Sequence, residues 1–214
     1  DVANILYYHV IPSKILAADM PVGPNAKVLT YNGDSVFVTK NSNGVFVNGI
    51  KVAEADVLAS NGVIHTLSTG VLMPAPGNIL ATAAANGLDS LVKALNFAAT
   101  GAGGDPKIAT SVANDLLTVF APTNAAFTAL LADLALTDIT QIPIATLIAT
   151  LQFHAIERRV FSSDLTNGNL TMASGGITTI TLPSGTSTVA TISGFGNGTN
   201  TAKITKVNIV GRNG

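Results

Sequence analysis

The chain repeats itself once, out of phase, and this limits what it can fold into. The stretch from Tyr8-His9-Val10-Ile11 to Asp19 returns as Phe153-His154-Ala155-Ile156 to Asp164, 145 residues later. The stretch from Lys51-Val52 to Asn61-Gly62 returns as Lys203-Ile204 to Asn213-Gly214, 152 residues later. Two anchors in the same order, with little drift between them, mark a tandem domain rather than a short solenoid repeat. Each unit is then roughly 140 residues, an ordinary domain size. A chain of 214 residues is too short for two of them, so it is expected to start inside one unit and stop inside the next. An anchor that serves two folds also argues against one catalytic centre built jointly from His9 and His154.

Composition removes several classes of function. Charged residues are 11% of the chain, well under the quarter usual in soluble domains, while apolar residues reach 47%. Thr, Ser and Asn must carry solubility, as in many secreted and surface proteins. Net charge is −1 and Lys and Arg do not cluster, which leaves no electrostatic footprint for nucleic acid or for an anionic membrane surface. With no cysteine, disulfides, thiolate metal sites and a Cys nucleophile are excluded within these residues. The richest apolar run, Ile142 to Phe153, is too short and too interrupted to span a bilayer.

Along the chain, a helix end precedes Tyr8-His9, and residues 27–58 read as strands with a tight turn at Asn48-Gly49. Val63 to Leu67 is a further strand. Pro74-Ala75-Pro76-Gly77 punctuates the chain, and the domain boundary is placed there. Beyond it, Leu88, Leu91, Val92 and Leu95 take helical spacing, as do Phe127, Leu130, Leu131 and Leu134, and Ile144, Leu147, Ile148 and Leu151. Thr100 to Asp105 is a Gly-rich connector. Leu117 to Phe120 reads as a short strand, after which Thr123 or Asn124 can cap a helix. From Leu170 strands return, with Gly-Asn turns between Gly194 and Asn200. Each unit thus orders helices first and sheet second, an α+β pattern.

Three ordered motifs resemble the fasciclin domain family. Thr118-Val119-Phe120-Ala121-Pro122-Thr123-Asn124-Ala125-Ala126-Phe127 resembles its first signature box. Tyr8-His9 and Phe153-His154 resemble its central Tyr-His segment, and Asn61-Gly62-Val63-Ile64-His65 through Pro74 resembles its closing box. Ser68 stands where the family usually has Asp, and Phe153 where Tyr is commoner. The resemblance implies an α+β fold: a β-sandwich or barrel-like wedge of strands capped by several helices. It maps residues 1–74 onto the second half of one domain and 75–214 onto a second domain lacking its closing strand. It also implies exported, extracellular or periplasmic modules that act in adhesion, often as tandem arrays.

On this mapping the one helical half, 75 to about 152, can complete only one of two sheet halves. Val63 to Pro74 is therefore expected to supply the missing edge strand, within the chain or across a dimer.

No constellation in the sequence points to chemistry. His9, His65 and His154 sit at the ends of apolar segments or inside a strand, where an imidazole usually bonds a neighbouring backbone group or carboxylate. By family resemblance, Tyr8, His9, Phe153 and His154 are the binding candidates. Thr118, Phe120, Pro122, Thr123, Asn124, Phe127, Asn61, Gly62 and His65 read as structural. Scattered carboxylates form no metal or calcium loop, and no Gly-x-Ser-x-Gly elbow occurs. No catalytic residue, metal or cofactor is therefore expected. Asn169-Leu170-Thr171 and Asn197-Gly198-Thr199 satisfy the N-glycosylation pattern. The reading is a non-enzymatic adhesion or binding module whose partner is a cell-surface protein or polysaccharide, with self-association as a further partner. Its alternatives are structural spacer domains of a surface protein or a carrier of a small apolar ligand.

Overall fold

The computed structural model describes residues 1–184, 190–194 and 201–214. The chain divides into two compact units. The first comprises Asp1–Ala75 together with Val160–Thr166 and Thr205–Val210; the second comprises Pro76–Arg159, Asn167–Ile204 and Gly211–Gly214.

The first unit opens with helix α1 (Val2–Tyr8), capped by the Asp1 carboxylate, which accepts from the Ala3 N–H at 3.0 Å. Five strands follow: β1 (Gly23–Leu29), β2 (Ser35–Asn41), β3 (Gly44–Val47), β4 (Ile50–Ala59) and β5 (Gly62–Leu67). They pair in sequence order as an antiparallel meander. The β3–β4 turn is Asn48-Gly49, with φ of 49° and 75°, the left-handed pair that a tight hairpin needs. Alternation along β2 sends Val36 and Val38 inward, where Val36 joins Tyr8 and Leu72 in a small core. Val28, Val47, Ile50 and Leu67 pack around it. Burying a side chain of this size contributes about 1.5–3 kcal/mol.

In the second unit the helices α2 (Ile79–Ala85), α3 (Asp89–Thr100), α4 (Pro106–Asn114), α5 (Asn124–Asp133) and α6 (Ile144–Phe153) build the core. Helix α3 is central. Leu91, Ala94, Leu95, Ala98 and Ala99 form its buried stripe, and the alanines let neighbouring helices approach closely. Leu147 and Leu151 of α6 and Ile108 and Val112 of α4 close on the same cluster. Helix α4 carries its own start signal, Asp105 as N-cap and Pro106 at the first helical position. Helix α5 departs from its sequence pattern. Phe127 is buried and Leu131 packs against the same core, but Leu130 and Leu134 are 36% and 50% exposed, because the core covers only the Phe127–Leu131 side of the helix.

Strands β6 (Thr118–Val119) and β7 (Ala155–Ile156) pair with each other. A four-stranded antiparallel sheet holds β8 (Gly168–Thr171), β9 (Ile177–Thr181), β10 (Thr191–Gly194) and β11 (Ala202–Lys203), in the order β11-β10-β9-β8. Both larger sheets are open, since each end strand has a single neighbour among the described residues, and the barrel-like closure implied by the resemblance does not form. Among the described residues, Val63 to Pro74 adds no strand beyond β5. Strand β5 ends at Leu67 and pairs with β4 alone, and the chain then leaves strand geometry at Ser68. The Gly-Asn turns between Gly194 and Asn200, and the Asn197-Gly198-Thr199 pattern, lie outside the described residues apart from Gly194 itself.

Candidate functional site

Each repeat places its aromatic-His pair at the C-terminal end of a helix, and each puts the two side chains to structural use. In the first unit Tyr8 is 1% exposed. Its hydroxyl donates to the Ser35 carbonyl at 3.0 Å and accepts from Asn48 Nδ2 at 3.1 Å. Asn48 in turn accepts the Phe37 N–H on Oδ1 at 2.8 Å. The phenol thereby staples α1 to β2 and to the β3–β4 turn, and its hydroxyl is satisfied as both donor and acceptor.

His9 is exposed, and both of its ring nitrogens are engaged. Nδ1 lies 2.7 Å from the Ile5 carbonyl, and the Leu72 N–H donates to Nε2 at 3.1 Å. A carbonyl only accepts and an amide only donates, so the proton sits on Nδ1. His65 has the opposite tautomer. Its Nδ1 accepts the Asp56 N–H at 3.3 Å, and its Nε2 donates to the Ile15 carbonyl at 2.9 Å.

In the second unit His154 Nδ1 donates to the Thr150 carbonyl at 2.8 Å, the same bond one repeat later. Phe153 has no hydroxyl to staple with. Its ring packs on Gly176, where a Cβ would come within 2.6 Å, and meets the His154 ring edge-on at 6.5 Å. The signature segment docks here. The Phe120 N–H donates to the His154 carbonyl at 2.8 Å, and the Thr118 hydroxyl to the Arg158 carbonyl at 2.6 Å. Past half-buried Pro122, the two capping candidates divide the work. Thr123 caps α5 by accepting the Ala126 N–H, while Asn124 bridges to the start of α3. Its amide accepts the Ser90 N–H at 3.0 Å and donates to the Gly87 carbonyl at 2.9 Å.

Four residues that sequence reading did not single out hold more of the structure. Asn213 accepts the Ile79 N–H at 2.9 Å and donates to the Val112 and Asp115 carbonyls at 3.0 and 2.9 Å. It ties the start of α2 to the end of α4. Its repeat equivalent Asn61 stands exposed in the β4–β5 turn, beside half-buried Gly62. Arg159, 8% exposed, donates through Nη2 to the Gly211, Arg212 and Gly214 carbonyls at 3.3–3.4 Å. Asp164 accepts from Asn25 and Thr39 side chains at 3.1 Å and from the Phe161 N–H at 2.8 Å. Asn208 accepts the Ser162 N–H at 2.9 Å. The available signal was the repeat itself, which pairs Asn213 with Asn61, Asn208 with Asp56 and Asp164 with Asp19.

Among the described residues no group of three or more His, Cys, Asp or Glu could hold a metal ion. A cavity of about 50 Å³ between α2, α3 and α4 is lined by Leu80, Leu95, Ile108 and Val112. Ligand pockets run to roughly 300–1,000 Å³, so this one does not suit an apolar cargo. Asp138, paired with Lys93 and also held by the Thr140 N–H, has its carboxyl well below the usual range. Asp138 also caps the 3-10 turn Ile139–Gln141. No described helix is long and apolar enough to cross a membrane.

An α+β chain with two copies of this anchor has known counterparts. The Fasciclin domain model matches residues 1–74 and 90–214, and the chain belongs to the fasciclin domain family. It is 37% identical over 75 residues to transforming growth factor-beta-induced protein ig-h3 of Sus scrofa, covering 35% of this chain and 11% of that protein. It is 41% identical over 71 residues to Protein sll1483 of Synechocystis sp., covering 33% of this chain and 38% of that protein. The chain therefore spans well under half the length of these curated relatives. Among solved structures it resembles a FAS1 domain pair from the insect cell adhesion molecule Fasciclin I. That match has a TM-score of 0.50 at 16% identity over 98% of this chain and 75% of the other, a likeness of fold.

Proposed function

We propose that this chain is a non-enzymatic adhesion module, exported to the cell surface or periplasm, that binds a surface protein or polysaccharide. The observation that carries the reading is the duplicated anchor whose imidazoles and phenol bond back into the fold. His9 and His154 bond back to Ile5 and Thr150, and the Tyr8 hydroxyl is committed to Ser35 and Asn48. Such a segment shapes a surface: both ring nitrogens of His9 and the Nδ1 of His154 are bonded to backbone. Two fasciclin repeats in one chain add effective concentration, so weak contacts combine. The family membership and the cell adhesion protein among the structural likenesses support the same reading. On this proposal residues 1–74 are the second half of one domain, and 75–214 a second domain that lacks its closing strand.

The test is binding of the intact chain to arrays of matrix proteins and polysaccharides, with self-association followed by light scattering. Saturable binding to one class supports the proposal. Absence of binding throughout, with the chain folded, overturns it.

A further inference from the structure

Asn-Gly dipeptides recur along the chain, and each carries the parts of a self-modification reaction. The glycine has no Cβ to shield its backbone nitrogen, which can attack the Cγ of the preceding asparagine. The bond that forms is N–Cγ and the bond that breaks is Cγ–Nδ2. Ammonia leaves with the proton of the glycine nitrogen. Water then opens the resulting succinimide at either carbonyl, giving aspartate or isoaspartate. No enzyme, metal or oxidant is needed. A dipeptide reacts only if its carboxamide is free to swing onto the next nitrogen.

The fold restrains most of these carboxamides. Asn48 is 2% exposed, with Oδ1 on the Phe37 N–H and Nδ2 on the Tyr8 hydroxyl. Asn32 accepts from the Thr30 hydroxyl at 2.6 Å and the Asp34 N–H at 3.0 Å, and donates to Asn4 at 3.2 Å. Asn86 donates to the Thr82 carbonyl at 2.9 Å, and Asn167 accepts the Leu182 N–H at 2.6 Å. Asn213 is held between α2 and α4.

Asn43 and Asn61 differ. Both are exposed, and neither side chain has a hydrogen bond among the described residues. Each is the second residue of a two-residue hairpin loop, Ser42-Asn43 between β2 and β3 and Ser60-Asn61 between β4 and β5. Asn41 pairs with Gly44 and Ala59 with Gly62, so each reacting glycine opens a strand at the hairpin end. Such ends open more readily than core strands, which frees the glycine nitrogen for attack.

We propose that Asn43-Gly44 and Asn61-Gly62 are sites of spontaneous deamidation, so that these two hairpin loops gain carboxylates as the protein ages. Each event adds one negative charge to a formal net charge of −1. Isoaspartate also puts Cβ into the main chain, lengthening a loop whose length fixes the register of the strands it joins. At Asn61 the change feeds into β5, where His65 Nε2 holds the Ile15 carbonyl at 2.9 Å.

The experiment incubates the intact chain in mildly alkaline buffer and follows each dipeptide by peptide mass spectrometry, with isoaspartate scored by methyltransferase labelling. Asn43 and Asn61 should convert at least about tenfold faster than Asn32 and Asn48, which must first break two or three side-chain bonds. In concentrated urea the difference should largely vanish, because the fold and not the local sequence sets it. Gly62→Ala gives a second readout. A Cβ there meets nothing within 4 Å and the backbone is outside the left-handed region, so the variant should fold. It should suppress conversion at Asn61 and leave Asn43 unchanged. Conversion at Asn61 that survives Gly62→Ala overturns the proposal. So does a folded-state rate at either Asn43 or Asn61 no faster than at Asn32 and Asn48, or a difference that persists in urea.

Discussion

Asp56 and Asn208, 152 residues apart, make the same bond from the same backbone conformation. Their φ angles are 62° and 60°. Asp56 accepts the Ala17 N–H at 2.8 Å and Asn208 the Ser162 N–H at 2.9 Å, and Ala17 and Ser162 are themselves repeat equivalents. Asp56 falls where the β4–β5 register shifts, so the bulge aims its carboxylate at the chain behind α1. Asp and Asn share this place because both tolerate a left-handed backbone and both offer an acceptor oxygen. Asp56→Asn should therefore change stability by less than about 0.5 kcal/mol, whereas Asp56→Ala should cost about 1–3 kcal/mol in urea unfolding.

The Tyr8 hydroxyl closes a network that Phe153 has no means to form. Tyr8→Phe strips the Asn48 amide of an acceptor and the Ser35 carbonyl of a donor inside the first unit. A loss of about 1–3 kcal/mol is expected by denaturant titration. Phe153→Tyr, by contrast, should gain nothing of that size. A neutral Tyr8→Phe would show that the phenol is not a staple.

Asn213 and Asn61 are one residue type at one repeat position, in opposite surroundings. Asn213→Ala leaves an α2 amide and two α4 carbonyls without their partner and should destabilise the second unit by about 2–4 kcal/mol. Asn61→Ala, at an exposed turn, should stay within about 0.5 kcal/mol. Paired thermal melts of the two variants check this directly.

Acid should act through Asp138. The Lys93 ammonium foremost, and the Thr140 N–H next, hold its carboxyl well below the ordinary range. A depressed folded value means that the contribution is whole above the unfolded carboxylate value. It is lost as pH falls through the folded one. Between about pH 5 and pH 2 the unsubstituted chain should lose more stability than Asp138→Asn does, and Lys93→Met should shrink the difference. Both side chains are well exposed, so added salt should shrink it too.

The fold was legible wherever local pattern and burial agreed. Asn48-Gly49 announced its hairpin, and the spacing of Leu91, Leu95, Leu147 and Leu151 announced the buried faces of α3 and α6. Periodicity misled at Leu130 and Leu134, because an apolar stripe shows which face could be buried and not how far a neighbour extends to cover it. Motif reading named Thr123 and Asn124 but not the division of labour between them. The Asn124 bridge runs to Gly87 and Ser90, contacts that exist only once the chain has folded. The polar anchors Asp164, Asn208 and Asn213 stayed hidden for the same reason. Each bonds to segments distant in sequence, and no local rule marks an Asn or Asp for that work.

The hairpin at Asn48-Gly49 sets an order of events in folding. Asn208 lies so close to Gly49 that a Cβ there would stand 2.6 Å from its side chain, and the ring of Phe161 lies 6.2 Å from that of Phe37. A domain that borrows Val160–Thr166 and Thr205–Val210 remains unfinished on the ribosome until residue 210 has been made. Closing such long spans is slow, and meanwhile the early strands present bare edges. Synthesis rate and chaperone supply thus bear on the yield of this chain more heavily than on that of a protein whose domains are each contiguous.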